Sequence, residues 1–426
     1  MKYDTSLRQW ISRRVEQIEH ADIVVGIPCY NNQDTIGHVI KMVSHGLYEH
    51  YKDSRAVIVI SDGGSTDDTR EIARDTNVRP WQEKLVSIYR GVAGKGSALR
   101  SIFEIAEHLD AKATMVVDSD LRSITGEWVR HLLEPVLTHN YDFVSPVYTR
   151  YKYDGTITNN VVYNITRALY GKRIRQPIGG DFAFSVKAAR YYMEQDVWDT
   201  DIARFGIDIW MTTSAVVQNM RVCQAHLGVK IHDAKDPAAH LAPMFRQVVH
   251  TLFSLMEKNE SFWRNVKGSE PTEIFGGNGD GAEPEPVSVN LAALCRGFRH
   301  GYEQFGIFWE QIFSKESFAA IKTAYQMSDE ELSLDVDAWV SILYELAATF
   351  HKWEAHRYKL LELATPLYNG RVASFINATI DMDSNQAEAV VEDQAMRFEE
   401  RRGYLDELWT AAGGMSDDLN RRLGQS

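Results

Sequence analysis

Apolar positions in roughly the first half of the chain fall in short runs, separated by stretches with helical spacing. Ile23-Val24-Val25-Gly26-Ile27 reads as a buried strand that Pro28 breaks, and Ala56-Val57-Ile58-Val59-Ile60 reads as a second. Leu85 to Tyr89 is a weaker third strand, and Ala113-Thr114-Met115-Val116-Val117 is a fourth. Helical patterns fill the gaps at about residues 34–45 and 97–109, and a further helix begins at Asp67 and Asp68 with Ser65 or Thr66 as its cap. This alternation predicts an α/β domain built on a mostly parallel, doubly wound, Rossmann-like sheet with helices on both faces.

From Asp142 to His232 the pattern is mixed. Phe143-Val144-Ser145, Asp181-Phe182-Ala183-Phe184-Ser185 and Val222-Cys223-Gln224-Ala225 read as short strands, with helices at about residues 158–170 and 207–219. Residues 267–288 are rich in Gly, Pro and acids and read as a linker. Helix-spaced aromatics and leucines follow, as in Trp339-Val340-Ser341-Ile342-Leu343-Tyr344. The expected division is therefore a first domain at 1–266, a linker at 267–288 and a helical domain at 289–426, with no internal repeat. The aromatic-rich helical domain offers a homodimer surface.

Composition narrows the function classes. A 426-residue chain with 44% apolar and 25% charged residues is that of a globular protein with more than one core. A net charge of −13 argues against nucleic acid or an anionic membrane as main partner, so an anionic ligand needs a local cation or a bound metal. No run approaches a membrane span, and the charged N-terminus lacks a signal-peptide core. Cys29, Cys223 and Cys295 have neither metal-site nor disulfide spacing, which points to a reducing cytoplasm.

The candidate chemistry lies at the carboxyl ends of the strands, where ligands bind in such sheets. Asp118-Ser119-Asp120 follows the fourth strand directly. Two carboxylates one residue apart point to one side of a strand and repel unless a cation relieves them; a hard divalent ion holding a diphosphate does so, and a surface pair capping the next helix is the plainer reading. Asp62, in Asp62-Gly63-Gly64, is either a ligand acceptor or a turn residue. Gly94-Lys95-Gly96-Ser97 opens a helix and can hold phosphate, although it lacks Walker spacing and also suits a plain helix start. In Gln176-Pro177-Ile178-Gly179-Gly180-Asp181 two glycines allow close approach of the backbone to a ligand, or form a tight turn. Asp208 begins a helix, and His226, Lys230 and His232 follow a strand. His232 is a borderline metal ligand that would complete an oxygen-rich site begun by Asp120.

Together, Pro28-Cys29-Tyr30-Asn31, Asp62-Gly63-Gly64-Ser65-Thr66-Asp67, Lys95-Gly96 and Asp118-Ser119-Asp120 resemble the nucleotide-sugar glycosyltransferases of the GT-A fold. Gln176-Pro177-Ile178-Gly179-Gly180, Gly206-Ile207-Asp208 and Leu227-Gly228-Val229-Lys230-Ile231-His232 narrow the resemblance to the retaining glucosyl-3-phosphoglycerate and mannosylglycerate synthases, over about residues 22–260. The resemblance implies that Pro28, Cys29, Tyr30, Asn31 and Asp62 surround the nucleoside and that Lys95 reaches the nucleotide or its phosphates. It implies that Asp120 and His232 bind Mg²⁺ or Mn²⁺, and that Asp118 and Ser119 line the ribose and sugar with Gln176 nearby. Gly179 and Gly180 would present backbone groups to the sugar, and Asp208 would accept from its hydroxyls. Gly155, Thr156, Thr158 and Lys230 would serve the acceptor, Thr158 holding its carboxylate. Relatives that use a phosphorylated acceptor carry an arginine directly after the glycine of that loop. Thr156 stands there instead, which favours unphosphorylated glycerate unless Arg150, Lys152 or Lys172 substitutes.

The implied reaction is transfer of glucose or mannose from UDP-glucose, GDP-glucose or GDP-mannose to D-glycerate or 3-phosphoglycerate, a compatible-solute synthesis. Retention without a convincing protein nucleophile implies same-face attack, with the diphosphate helping to deprotonate the acceptor. Two other readings remain open: an inverting transferase for a lipid or polysaccharide acceptor, with Asp208 as base, and a non-catalytic nucleotide-sugar-binding protein.

Overall fold

A computed structural model describes residues 4–232, 241–277 and 284–412. The chain forms two compact units, each drawn from separated segments. The first gathers Met1–Arg150, Ile174–Ala234 and Pro271–Glu285; the second gathers Tyr151–Arg173, Lys235–Glu270 and Pro286–Ser426.

In the first unit, helix α1 (Gln9–Ile18) precedes strand β1 (Ile23–Cys29), α2 (Ile36–His50), β2 (Ala56–Asp62), α3 (Thr69–Asp75), β3 (Glu83–Ile88), α4 (Lys95–His108) and β4 (Ala113–Val116). Helix α5 (Gly126–His139) leads to β5 (Phe143–Thr149). In the second unit α6 (Tyr163–Tyr170) is followed by the two-residue β6 (Lys172–Arg173). The chain returns to the first unit with β7 (Phe182–Ser185), α7 (Val186–Glu194), α8 (Ile207–Val217) and β8 (Val222–Val229). Two more two-residue strands, β9 (Glu270–Pro271) and β10 (Ile274–Phe275), come later.

The main sheet has the order β10-β8-β5-β7-β4-β1-β2-β3. Every pairing is parallel except those of β7, which runs antiparallel to both β4 and β5. Strands β1 and β2 are buried along their whole length, as β-branched runs covered on both faces must be. Ile36, Val39, Ile40, Val43 and Leu47 give α2 the helical stripe that packs on them. The parallel arrangement brings the ends of β1, β2, β3 and β4 to one edge, where Cys29, Asp62 and the segment that opens with Asp118 lie.

Three local expectations change. Pro28 does not end β1, because the strand continues to Cys29 against β2. Pairing with β4 stops at Gly26, so the absent N–H of Pro28 interrupts no ladder on that side. Neither Ser65 nor Thr66 caps α3, which begins at Thr69; the Ser65 hydroxyl donates to Asp62, and Asp67 Oδ1 accepts from the Thr69 N–H at 3.1 Å. Within the expected linker, Ile274–Phe275 extends the sheet beside β8, while residues 278–283 lie outside the described residues.

The second unit is helical, with Trp263, Trp309, Trp339 and Trp409 fully buried. Residues 151–173 and 242–258, expected in the first domain, belong here, so the division falls elsewhere than at the linker. Their polar groups show why. Asn160 accepts from the Trp339 indole at 2.7 Å and from Arg371 Nε at 3.2 Å, and Arg167 pairs with Glu392 at 2.6 Å. Among the described residues, no helix is long and apolar enough to cross a membrane.

Candidate active site

Two loops after β1 and β2 are stitched together. Asn31 has a left-handed backbone (φ 54°); its N–H donates to Ser65 Oγ and its Oδ1 accepts from the Thr66 N–H, both at 2.9 Å. Asp62 is fully buried, accepting from the Gly64 N–H at 2.8 Å and from the Ser65 N–H and hydroxyl. It thus shapes the turn with both oxygens, and no face of it is open to a nucleoside in this conformation. Cys29 is buried beside it, and burial pushes its thiol up. Pro28 is buried in β1, whereas Tyr30 is 59% exposed and presents a ring to solvent.

The loop after β4 divides its two aspartates. Ser119 holds the loop, its hydroxyl donating to Asn32 Oδ1 at 2.8 Å and its carbonyl accepting from Thr35 Oγ1 at 2.7 Å. Asp118 Oδ1 accepts from Lys95 Nζ at 2.8 Å and Oδ2 from Lys230 Nζ at 3.1 Å. Burial opposes the charge on Asp118, but the two ammonium groups outweigh it and hold the carboxyl well below the usual range. The cations beside Asp118 in this structure are thus two lysines.

Asp120 has a different neighbour. The segment after β8 is tied to the segment after Asp120 by the Arg122 N–H donating to Ile231 O at 2.8 Å and the Ile231 N–H donating to Ser123 Oγ at 2.9 Å. This pairing sets His232 Nδ1 3.8 Å from Asp120 Oδ2, with both side chains partly exposed. Oxygen and imidazole donors facing one another beyond hydrogen-bond distance suit Mn²⁺ or Mg²⁺, with the remaining positions left to water or ligand oxygens. Among the described residues no third His, Cys, Asp or Glu joins them.

The Gly179–Gly180 turn closes over Asp118. A β-carbon on Gly180 would sit 2.1 Å from Asp118 Oδ2, and its φ of +92° is strained for any other residue. One on Gly179 would sit 2.3 Å from Pro146. The glycines admit a carboxylate and a proline ring at close range. Gln176 anchors the turn, its carbonyl accepting from the Gly179 N–H at 3.0 Å and from Ser145 Oγ at 2.9 Å.

Lys95 lies 3.3 Å from Asp208 Oδ2 and 3.4 Å from the Gly180 carbonyl, besides Asp118. Lys230 bonds Asp181 Oδ2 and the Gly179 carbonyl, both at 2.9 Å, besides Asp118. An ammonium has three donors, so both lysines are fully engaged by protein acceptors. Neither offers a free charge to a phosphate or an acceptor in this conformation, contrary to expectation for both. Burial raises Asp208, with Lys95 offsetting part of the shift and Asp118 adding to it; its Oδ1 is buried without a hydrogen-bond partner. Asp181 and Tyr148 complete the cluster, the Tyr148 hydroxyl donating to Asp181. Asp181 could have been suspected from its place after the two glycines, but nothing around Tyr148 in the sequence marks it.

The expected acceptor loop falls in the second unit. Gly155 has φ +72°, Thr156 is buried with its hydroxyl 2.6 Å from that of Tyr368, and buried Thr158 begins a π-helical turn, Thr158–Val162.

The family model for glycosyl transferase family 2 matches residues 24–199. Glycosyltransferase AglJ of Haloferax volcanii is 28% identical over 164 residues, 37% of this chain and 48% of that protein. Glucosyl-3-phosphoglycerate synthase of Petrotoga mobilis is 28% identical over 169 residues, 39% of this chain and 46% of that protein. The chain thus spans just under half the length of the curated relatives it matches. Among solved structures, glucosyl-3-phosphoglycerate synthase of Mycobacterium tuberculosis, in complex with Mg²⁺ and UDP, superposes with a TM-score of 0.43 at 23% identity. That superposition covers 59% of this chain and 85% of that one. Residues 24–199 of this chain thus match glycosyl transferase family 2, and the mostly parallel sheet they help to build is that of the GT-A fold.

Proposed function

We propose that the chain is a metal-assisted, retaining glycosyltransferase that moves glucose or mannose from a nucleotide diphosphate sugar to D-glycerate. The observation that carries this reading is the Asp120–His232 pair at the carboxyl edge of the sheet. A divalent ion held there would neutralise charge on a departing diphosphate.

The neighbouring cluster suits the sugar end. It holds three carboxylates (Asp118, Asp181 and Asp208) against two ammonium groups, with the Arg150 guanidinium 5.1 Å over the Tyr148 ring, and Asp208 Oδ1 is an unused acceptor. The spare Asp208 oxygen would accept a hydrogen bond from a sugar hydroxyl and would favour the positive charge that develops on the ring. Tyr30, exposed at the end of β1, offers a face to the base.

Unphosphorylated glycerate is favoured because, of the three cations that could replace the missing arginine, Arg150 lies 5.1 Å over the Tyr148 ring and the two lysines are engaged elsewhere. Lys152 Nζ donates to the carbonyls of Thr379, Ile380 and Met382, and Lys172 pairs with Glu270. The test is a panel of UDP-glucose, GDP-glucose and GDP-mannose against D-glycerate and 3-phosphoglycerate, with Mg²⁺, Mn²⁺ or chelator. Metal-dependent transfer to glycerate is expected, and absence of transfer in every combination overturns the reading. The buried, unpaired oxygen of Asp208 would equally suit the base of an inverting enzyme. NMR assignment of the product anomer separates the two.

A further inference from the structure

We propose that Tyr148 and Asp181 are positioning residues that lock the Lys230 ammonium in place and thereby fix the sugar-facing wall of the cleft, taking the cleft as the donor site proposed above. Lys230 is 5% exposed and directly follows strand β8, a place from which a lysine would ordinarily extend into solvent. Instead its ammonium turns inward to three acceptors: Asp181 Oδ2, the Gly179 carbonyl and Asp118 Oδ2.

Asp181 is the hub. Its Oδ2 takes both the Lys230 ammonium and the Tyr148 hydroxyl, and its Oδ1 accepts from the Asp118 N–H at 2.7 Å. One fully buried carboxylate thus fixes the backbone of Asp118 and the cation that neutralises the Asp118 side chain. Tyr148 supports Lys230 in two ways. Its ring centroid is 4.8 Å from Nζ, and its hydroxyl shares Asp181 with it while lying 3.4 Å from the Gly179 carbonyl. Burial and the Asp181 charge push the phenol far above its ordinary pKa, so it stays a donor. The Gly179–Gly180 carbonyls and Asp118 are consequently held by a ring of bonds that no sugar or nucleotide needs to supply.

Two readouts on the full chain test this. The first is the rate at which formaldehyde and a borohydride methylate Lys230, followed by peptide mass spectrometry. Wild type should be protected, Asp181→Asn should react about tenfold faster or more, and Tyr148→Phe should fall between them, because it keeps the ring but loses one charge-assisted bond. Equal rates in all three overturn the lock. The second is the split between kcat and KM. Asp181→Asn and Tyr148→Phe should lower kcat by about 100-fold and tenfold while donor KM moves less than about twofold, since the metal end is untouched. Tyr148→Leu should fall further than Tyr148→Phe. A kcat loss that tracks the folded fraction, measured by thermal unfolding, also overturns the proposal. Wild-type protein inactive with every donor would sink the transferase reading, while the labelling rates still decide the lock.

Discussion

Asp208 meets Lys95 through one oxygen only: Oδ2 lies 3.3 Å from Nζ, while Oδ1 is buried with no hydrogen-bond partner among the described residues. A buried acceptor left unsatisfied costs about 1–3 kcal/mol, so it marks a place where a ligand donor belongs. Burial raises this carboxyl above the ordinary aspartate value near 3.9. As pH rises through that raised value, Asp208 gains the charge that the sugar end needs. The acid limb of kcat/KM should therefore lie above the usual aspartate range, with activity rising as pH rises. Asp208→Asn should remove that limb and lower kcat by about 100-fold. An unchanged pH–rate profile in the variant would refute the assignment.

Asp118 has the opposite electrostatics. Its charge holds Lys95 and the deeply buried Lys230 together. Asp118→Asn should destabilise the first unit by about 3 kcal/mol, because it leaves buried ammonium groups under-compensated. The folded carboxyl lies below its unfolded value, so its stabilisation is present above about pH 3.9 and is lost as pH falls through the folded value. Urea unfolding at neutral pH and at pH 3 checks both statements; the difference between wild type and variant should shrink at the lower pH.

Asp120 is a quarter exposed and bears no such structural load. Asp120→Ala should change stability by less than about 1 kcal/mol while abolishing turnover at any metal concentration. His232→Ala should weaken Mn²⁺ binding by about 100-fold, with partial recovery of activity in excess metal. Calorimetric titration of Mn²⁺ in the presence of UDP provides the comparison, and unaltered affinity in both variants would remove the metal site.

Gly180→Ala places a methyl group against Asp118 Oδ2 in a left-handed backbone. A stability loss of about 2 kcal/mol or more is expected, together with a fall in activity. The Asp118→Asn background should not relieve it, since the amide occupies the same space. Thermal unfolding of the two single variants and the double variant tests this.

Lys152 ends the helix Arg357–Thr379 by donating to three carbonyls at and beyond its last turn. Lys152→Met should cost about 1–2 kcal/mol and leave the ratio of kcat/KM for glycerate over 3-phosphoglycerate unchanged. A shift in that ratio would show that Lys152 serves the acceptor phosphate.

Much of the sheet was legible because buried strands need apolar residues on both faces, and β1, β2 and β4 are written as uninterrupted runs. The edge strand β10 was hidden, since Ile274–Phe275 is two residues long inside a Gly, Pro and acid-rich stretch. The pairing of Asp120 with His232 was only a borderline reading from donor chemistry until the resemblance to a family supported it, because nothing local relates residues so far apart. The engagement of Lys95 and Lys230 was not legible at all, as a lysine reads the same whether its donors face a ligand or a carboxylate.

What the sequence by itself determined is the β–α alternation, the parallel core and the supply of acids, lysines and paired glycines at the strand ends. These follow from short-range physics: periodic burial, helix signals and backbone freedom. Only the tertiary structure decided which acid meets which cation: Asp118 with two lysines, Asp120 with an imidazole, Asp208 with one oxygen unspent. It also moved residues 151–173 and 242–258 into the helical unit. Those outcomes depend on contacts between segments distant along the chain, where desolvation and charge pairing are settled by geometry that no local pattern encodes.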